Sequence, residues 1–158
     1  MMTAGKAGAG GFTLIELLVT LAVAVILATV AVPGFQNMMA RNQMAADVNA
    51  MLNGLNYARS EAIKRRNNVS LKVGSGGVSW VVQVKEEGGA PLREIVSSNS
   101  RVSLGESKDF SVVFNALGKM ASAGDCVGVC GITLSSGDRC REIGVNSLGR
   151  VRVEECGE

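Results

Sequence analysis

The chain of 158 residues contains no histidine. That removes the commonest general base and the commonest metal ligand, and with them any Ser/His or Cys/His nucleophilic arrangement. Nor does a phosphate-binding loop lead into a helix: the glycines fall in turns between strand-like segments, where backbone geometry accounts for them. A membrane-anchored enzyme therefore has almost no support, and no cofactor is expected. The net charge is only +2, too small to imply a polyanionic partner by itself. No low-complexity linker divides the chain, so one domain behind an anchor is the natural expectation. Roughly 90 residues follow the N-terminal helical region, enough for a small and marginal core.

What the chain does have is one long apolar run. Phe12 to Val32 is interrupted only by Thr13, Glu16, Thr20 and Thr29. At about 1.5 Å per residue a helix of that length spans roughly 30 Å, one hydrocarbon core. Glu16 lies one turn from its start. A carboxylate there costs several kcal/mol unless it is paired, which makes it a functional candidate. The simplest partner is a free α-amino group created by cleavage before Phe12. The preceding residues, Met1 to Gly11, are rich in Gly and Ala and carry one charge, Lys6. An ordinary secretory signal places its apolar region before the cut; here it follows the cut and stays with the mature chain. The bland alternative is a single-pass anchor with an incidental glutamate.

The ordered stretch Gly11-Phe12-Thr13-Leu14-Ile15-Glu16-Leu17-Leu18-Val19 resembles the start of type IV pilins and pseudopilins. The resemblance implies cleavage after Gly11 by a prepilin peptidase and N-methylation of Phe12. It also implies that Glu16 helps dock each subunit into the growing filament. Residues 1–11 are then a leader, 12–66 an N-terminal helix with its membrane span at about 12–32, and 67–158 a globular β-rich domain. The expected location is the inner membrane before assembly and an extracellular or periplasmic filament afterwards, with other pilin subunits as partners.

Beyond the run, Pro33-Gly34 should kink or loosen the helix. Met44, Val48, Met51, Leu52, Leu55, Ala58, Ala62 and Ile63 then recur at three- and four-residue steps, one apolar stripe. Arg41, Asp47, Arg59, Glu61 and Lys64 mostly fall off it. Lys64-Arg65-Arg66 before Asn67-Asn68 reads as a helix C-terminus, with cations beside the carbonyl end of the dipole; contact with nucleic acid is the less favoured reading. Strands are expected over Val69–Val73 and Val78–Lys85, around Gly74-Ser75-Gly76-Gly77, and more weakly over Arg93–Val96, Arg101–Leu104, Phe110–Phe114 and Gly131–Leu134. Glu86 to Pro91 reads as a turn or loop. The fold class is α+β: a long N-terminal helix packed on a C-terminal antiparallel β domain.

Two segments echo each other: Phe114-Asn115-Ala116-Leu117-Gly118-Lys119-Met120 and Val145-Asn146-Ser147-Leu148-Gly149-Arg150-Val151. Each reads as a hairpin whose three-residue loop ends in a left-handed glycine. If Asn146 pairs with Arg150, then Val145 faces Val151, Ile143 faces Val153, and these four share a core face. The same register sets Cys140 opposite Cys156, a candidate disulfide, and leaves Cys126 to pair with Cys130. Two other connectivities stay open. Four cysteines in an exported domain favour disulfides; a four-thiolate zinc site competes, but the spacing lacks paired Cys-x-x-Cys units, and no metal is expected.

In that register Arg150 and Arg152 leave the solvent face together, with Gly149 beside them. Two guanidinium groups there suit phosphate. Solvated arginines paired with Glu142 and Glu154 are the competing reading. From Asp125 to Glu158 there are four arginines against six acidic residues, so any DNA contact must come from local geometry and should be salt-sensitive. Within the pilin superfamily the chain looks most like the FimT/GspH group of minor pilins and pseudopilins, through Tyr57-Ala58-Arg59-Ser60-Glu61-Ala62-Ile63-Lys64-Arg65 and the β domain with glycine turns. FimT-type members carry a C-terminal Gly-Arg-x-Arg motif that contacts DNA, standing here as Gly149-Arg150-Val151-Arg152. The resemblance implies a non-enzymatic minor pilin at or near a pilus tip that binds extracellular DNA without base discrimination, for uptake in natural transformation (competence). Arg150 and Arg152 are the expected primary contacts, with Gly149 shaping the turn; Arg139 and Arg141, which the register points to the other face, and Lys64, Arg65 and Arg66 are secondary candidates. The rival is a GspH-like pseudopilin of a type II secretion system, structural and without DNA binding.

Overall fold

The computed structural model describes residues 11–75, 80–97, 102–105, 109–121 and 130–157. Residues 1–10 of the expected leader, the expected turn residues Gly76 and Gly77, the strand ends Val78 and Arg101, and Cys126 lie outside them. Helix α1 runs from Leu14 to Arg65, followed by β1 (Val69–Ser75), β2 (Trp80–Glu86), β3 (Pro91–Val96), β4 (Ser103–Leu104), β5 (Asp109–Phe114), β6 (Cys130–Ser136), β7 (Arg139–Val145) and β8 (Val151–Glu155). The architecture is α+β, as expected. The chain divides into two compact units, Met1–Met39 and Ala40–Glu158.

In the first unit, α1 opens on a cap. Thr13 Oγ1 accepts the Glu16 backbone N–H at 3.3 Å, and Thr13-x-x-Glu16 has the spacing of a capping box. Glu16 thus stands in the first turn, where a carboxylate favours the positive end of the helix dipole. The large apolar side chains that follow are exposed from Leu14 to Val32, and α1 is long and apolar enough to cross a membrane. Pro33 lies inside the helix and does not end it.

The second unit is built on the expected apolar stripe. Met44, Val48, Met51, Leu55, Ala58 and Ala62 are all buried. Sequence patterning fails at two kinds of position. Ile63 is 49% exposed, lying at the rim of the helix face. Asp47 and Glu61 are buried, because each has polar company. Ser97 Oγ lies 3.2 and 3.3 Å from the two Asp47 carboxylate oxygens. Burial pushes the Asp47 carboxyl above its ordinary value of 3.8, while the neighbouring Ser97 hydroxyl and Trp80 indole N–H pull it back part way; the indole does not reach hydrogen-bonding geometry. Arg65 Nε donates to Glu61 at 2.7 Å and its Nη1 to Glu86 at 3.0 Å. That bond, ahead of the charge of Lys64, holds the Glu61 carboxyl below its usual range.

The helix ends as the basic triplet suggested. Arg66 takes a left-handed conformation, φ 53°, and the Asn67 N–H donates to Ala62 O at 3.3 Å, closing the helix in a Schellman arrangement with arginine where glycine is usual. Two antiparallel sheets follow, ordered β3-β2-β1-β5 and β4-β6-β7-β8. Their inner residues, among them Leu71, Val73, Trp80, Val82, Val84, Phe110, Val112, Ile132, Leu134 and Ile143, join the helix stripe in one core. β3 begins at Pro91, within the segment expected to be loop; as an edge strand it tolerates the missing N–H.

Candidate functional site

The two related loops fold alike. In each, the asparagine closes the hairpin through its backbone: Asn115 N–H donates to Lys119 O at 2.9 Å, and Asn146 N–H to Arg150 O at 3.1 Å. Each asparagine also accepts two backbone N–H groups on its side-chain oxygen, from Leu117 and Lys119 in the first loop and from Leu148 and Arg150 in the second. Gly118 and Gly149 sit at φ 69° and 74°, in the left-handed region that glycine enters without steric cost. Leu117 and Leu148 stand exposed at the loop tips.

Neither loop stands alone. Met120 N–H donates to Ser147 O at 3.1 Å, directly linking the two turns. Arg59 of α1 reaches both: its Nε donates to Gly118 O at 2.9 Å and its Nη2 to Leu148 O at 3.4 Å. Gly149 is buried against Gly118, whose carbonyl oxygen a Cβ on Gly149 would strike. Gly149 is therefore not open backbone beside a ligand; it is the point where the two turns touch. The internal echo signalled two similar turns, but nothing in the sequence signalled that they stack, or that Arg59 pins them.

The second hairpin has the expected register, with Val145 opposite Val151 and Ile143 opposite Val153. Ile143 and Val145 are fully buried, Val151 is half-buried and Val153 is 40% exposed. The expected core face thus thins out on β8, because β8 is an edge strand. Arg150 and Arg152 fall on the other face, both exposed and about 6.6 Å apart along an extended chain. Among the described residues Arg150 enters no ion pair. Arg152 Nη2 lies 3.3 Å from Glu154, both side chains largely exposed; such a surface pair contributes ~0–1 kcal/mol and yields easily to a stronger anion.

The secondary cations divide. Arg139 and Arg141 line a groove with Arg41, Met44, Val48 and Val153, on the hairpin face opposite Arg150 and Arg152, and Arg141 pairs with Glu155. Lys64 and Arg65 are engaged by Glu61, Arg65 also by Glu86. Arg66 is exposed, three residues beyond Ile63, whose side chain packs at Gly118. Cys140 and Cys156 form a disulfide with Cα atoms 5.5 Å apart; the Cys126–Cys130 pairing lies outside the described residues. With two of the four thiols joined to each other, a four-thiolate metal site is not available to this fold. Gly11 and Phe12 are exposed ahead of the Thr13 cap.

The described residues here form a backbone-bonded double turn with cationic side chains at its margin, an arrangement suited to binding an anion. The family described as type II transport protein GspH matches residues 47–149, and the prokaryotic N-terminal methylation motif matches residues 6–32. No solved structure matches the chain.

Proposed function

Because this chain belongs to the GspH family of type II transport proteins, we propose that it is a minor type IV pilin that binds extracellular DNA non-specifically for uptake in natural transformation, at or near the pilus tip. Membership of the pilin and pseudopilin superfamily follows from the two matches, and these families are structural rather than enzymatic. Membership also brings an inner-membrane anchor before assembly, other pilin subunits as neighbours, and processing by prepilin peptidase. DNA binding is the proposed part. So are cleavage after Gly11, methylation of Phe12, and the docking of Glu16 on a neighbouring subunit's N-terminus.

The observation that carries the DNA reading is the placement of Arg150 and Arg152. Both are exposed on the solvent side of the hairpin, Arg152 on β8 and Arg150 directly before it at the end of a turn fixed by Asn146 and Gly149, and Arg150 is held by no carboxylate among the described residues. Guanidinium groups beside an edge strand suit the phosphate backbone, and such contacts position DNA without reading its base sequence. The acidic residues Glu142, Glu154 and Glu155 nearby make the contact weak alone; repetition along an assembled filament strengthens it through avidity.

The family description favours one other reading, a GspH-like minor pseudopilin of a type II secretion system with a structural role and no nucleic acid. The two separate in cells that carry the chromosomal substitution Arg150→Ala/Arg152→Ala. Loss of transformation by added DNA, with filaments and protein secretion intact, is the expected result. Unchanged transformation beside a secretion defect in the deletion strain would transfer the chain to the secretion machinery.

A further inference from the structure

We propose that the two stacked turns form a single phosphate-binding platform, in which Lys119 is the counterpart of Arg150 and holds DNA together with Arg150 and Arg152. This rests on the DNA reading above and extends it to a residue outside the C-terminal motif, in the turn that follows β5 of the other sheet.

The equivalence is geometric. Lys119 follows Gly118 as Arg150 follows Gly149, and each has its backbone carbonyl bonded to the loop asparagine and its N–H bonded to that asparagine's side chain. One residue further on, Met120 pairs with Phe114 and Val151 with Val145. Phe114 and Val145 are both fully buried, and Met120 and Val151 half-buried. Pleat alternation then sends Lys119 and Arg150 to the solvent side of their own hairpins, and both are exposed. Like Arg150, Lys119 enters no ion pair among the described residues.

The stacking brings the two cations close. The Cβ position of Gly149 lies 3.3 Å from the Gly118 carbonyl carbon. Adding one Cα step of 3.8 Å on each side puts the Lys119 and Arg150 Cα atoms within roughly 11 Å, a span that two long side chains readily bridge to neighbouring phosphates. Arg59 is the positioning residue: by donating to both Gly118 O and Leu148 O it fixes one turn against the other. The platform thus offers three cations on a frame held by backbone hydrogen bonds, where the motif alone offers two. It also explains why a domain with little net charge can hold a polyanion, since the cations converge locally.

The test is fluorescence anisotropy of a labelled random-sequence DNA duplex with the full-length chain in neutral detergent, across a salt series. Trp80 emission reports that each variant is folded. Lys119→Ala should weaken binding roughly three- to tenfold and lower the slope of log K against log salt by about 0.9, one phosphate contact. Lys119→Arg should restore both, and Lys72→Ala, an exposed cation on β1, should change neither. Lys119→Ala binding as wild type does, while Arg150→Ala/Arg152→Ala loses binding, would overturn the platform and leave the DNA reading standing. An equal loss in Lys72→Ala would also overturn it, showing bulk charge at work. Absence of wild-type binding at low salt would overturn both.

Discussion

Gly149→Ala should be the most damaging single-methyl change in the globular unit. The first cost is conformational: an L residue in the left-handed region is disfavoured by about 1–2 kcal/mol, and Gly149 sits at φ 74°. The second is steric. The new Cβ would strike the Gly118 carbonyl oxygen, a backbone atom that cannot rotate aside, so the two turns must part. Parting them loses the Met120–Ser147 hydrogen bond, about 0.5–1.5 kcal/mol, and loosens the charge-assisted bond from Arg59 to Gly118 O, about 1.5–3 kcal/mol if fully lost. With the Arg59 bond fully lost the total is roughly 3–6.5 kcal/mol. Two other glycines set the scale. Gly137 shares the positive φ, 62°, but a Cβ there meets nothing within 4 Å, so Gly137→Ala should cost only the conformational ~1–2 kcal/mol. Gly118→Ala should fall between them, because its Cβ meets the Ile63 Cδ1 at 2.7 Å, the movable end of a half-exposed side chain. The assay is urea unfolding of the full-length chain in micelles, followed by the single tryptophan, Trp80, which is 1% exposed. A Gly149→Ala midpoint no lower than that of Gly137→Ala would refute the stacked-turn account.

Two buried carboxylates should give pH profiles of opposite sign. Folding raises the Asp47 carboxyl above 3.8 through burial, so its contribution is fullest below 3.8 and is lost as pH rises through the folded-state value. Asp47→Asn should therefore be at least as stable as wild type at pH 7 and lose that advantage near pH 4, read by urea midpoints at each pH. Folding lowers the Glu61 carboxyl below 4.5 through Arg65, so its contribution is present above 4.5 and lost as pH falls through the folded-state value. Glu61→Gln should be the less stable variant at pH 7 and converge with wild type in acid. Cys140→Ser/Cys156→Ser opens a link spanning 16 residues, for which loop-closure entropy gives about 3 kcal/mol; the urea midpoint should fall accordingly, and an unchanged midpoint would mean that β8 is held by its strand pairing alone.

Much of this fold was legible because single physical signals decide it. The apolar run from Phe12 to Val32 can only be an anchor or a core helix. The three-and-four spacing of Met44, Val48, Met51, Leu55, Ala58 and Ala62 marks a buried helix face. In the second hairpin, alternation and one turn asparagine set the register and brought Cys140 to Cys156. What escaped was tertiary. Asp47 and Glu61 read as surface residues because their partners, Ser97, Arg65 and Glu86, reach them through folding that no local pattern encodes. The Thr13 cap on the Glu16 backbone N–H went unread, because the membrane cost of the carboxylate dominated that segment. Gly149 was correctly read as a turn residue. Its burial against Gly118, and the reach of Arg59 to both loops, depend on how two sheets meet. The proposed site divides in the same way: Arg150 and Arg152 stand in a motif visible in the sequence, whereas Lys119 enters the proposal only when two similar turns are seen side by side.

DNA binding by the full-length wild-type chain and by Arg150→Ala/Arg152→Ala, measured at two salt concentrations, decides whether this pilin is a DNA receptor. The account predicts that wild type binds a random-sequence duplex at low salt. It also predicts that binding falls steeply as salt rises, and that the folded double variant loses most of it. Wild type that fails to bind at low salt, or a double variant that binds as well as wild type, would contradict it.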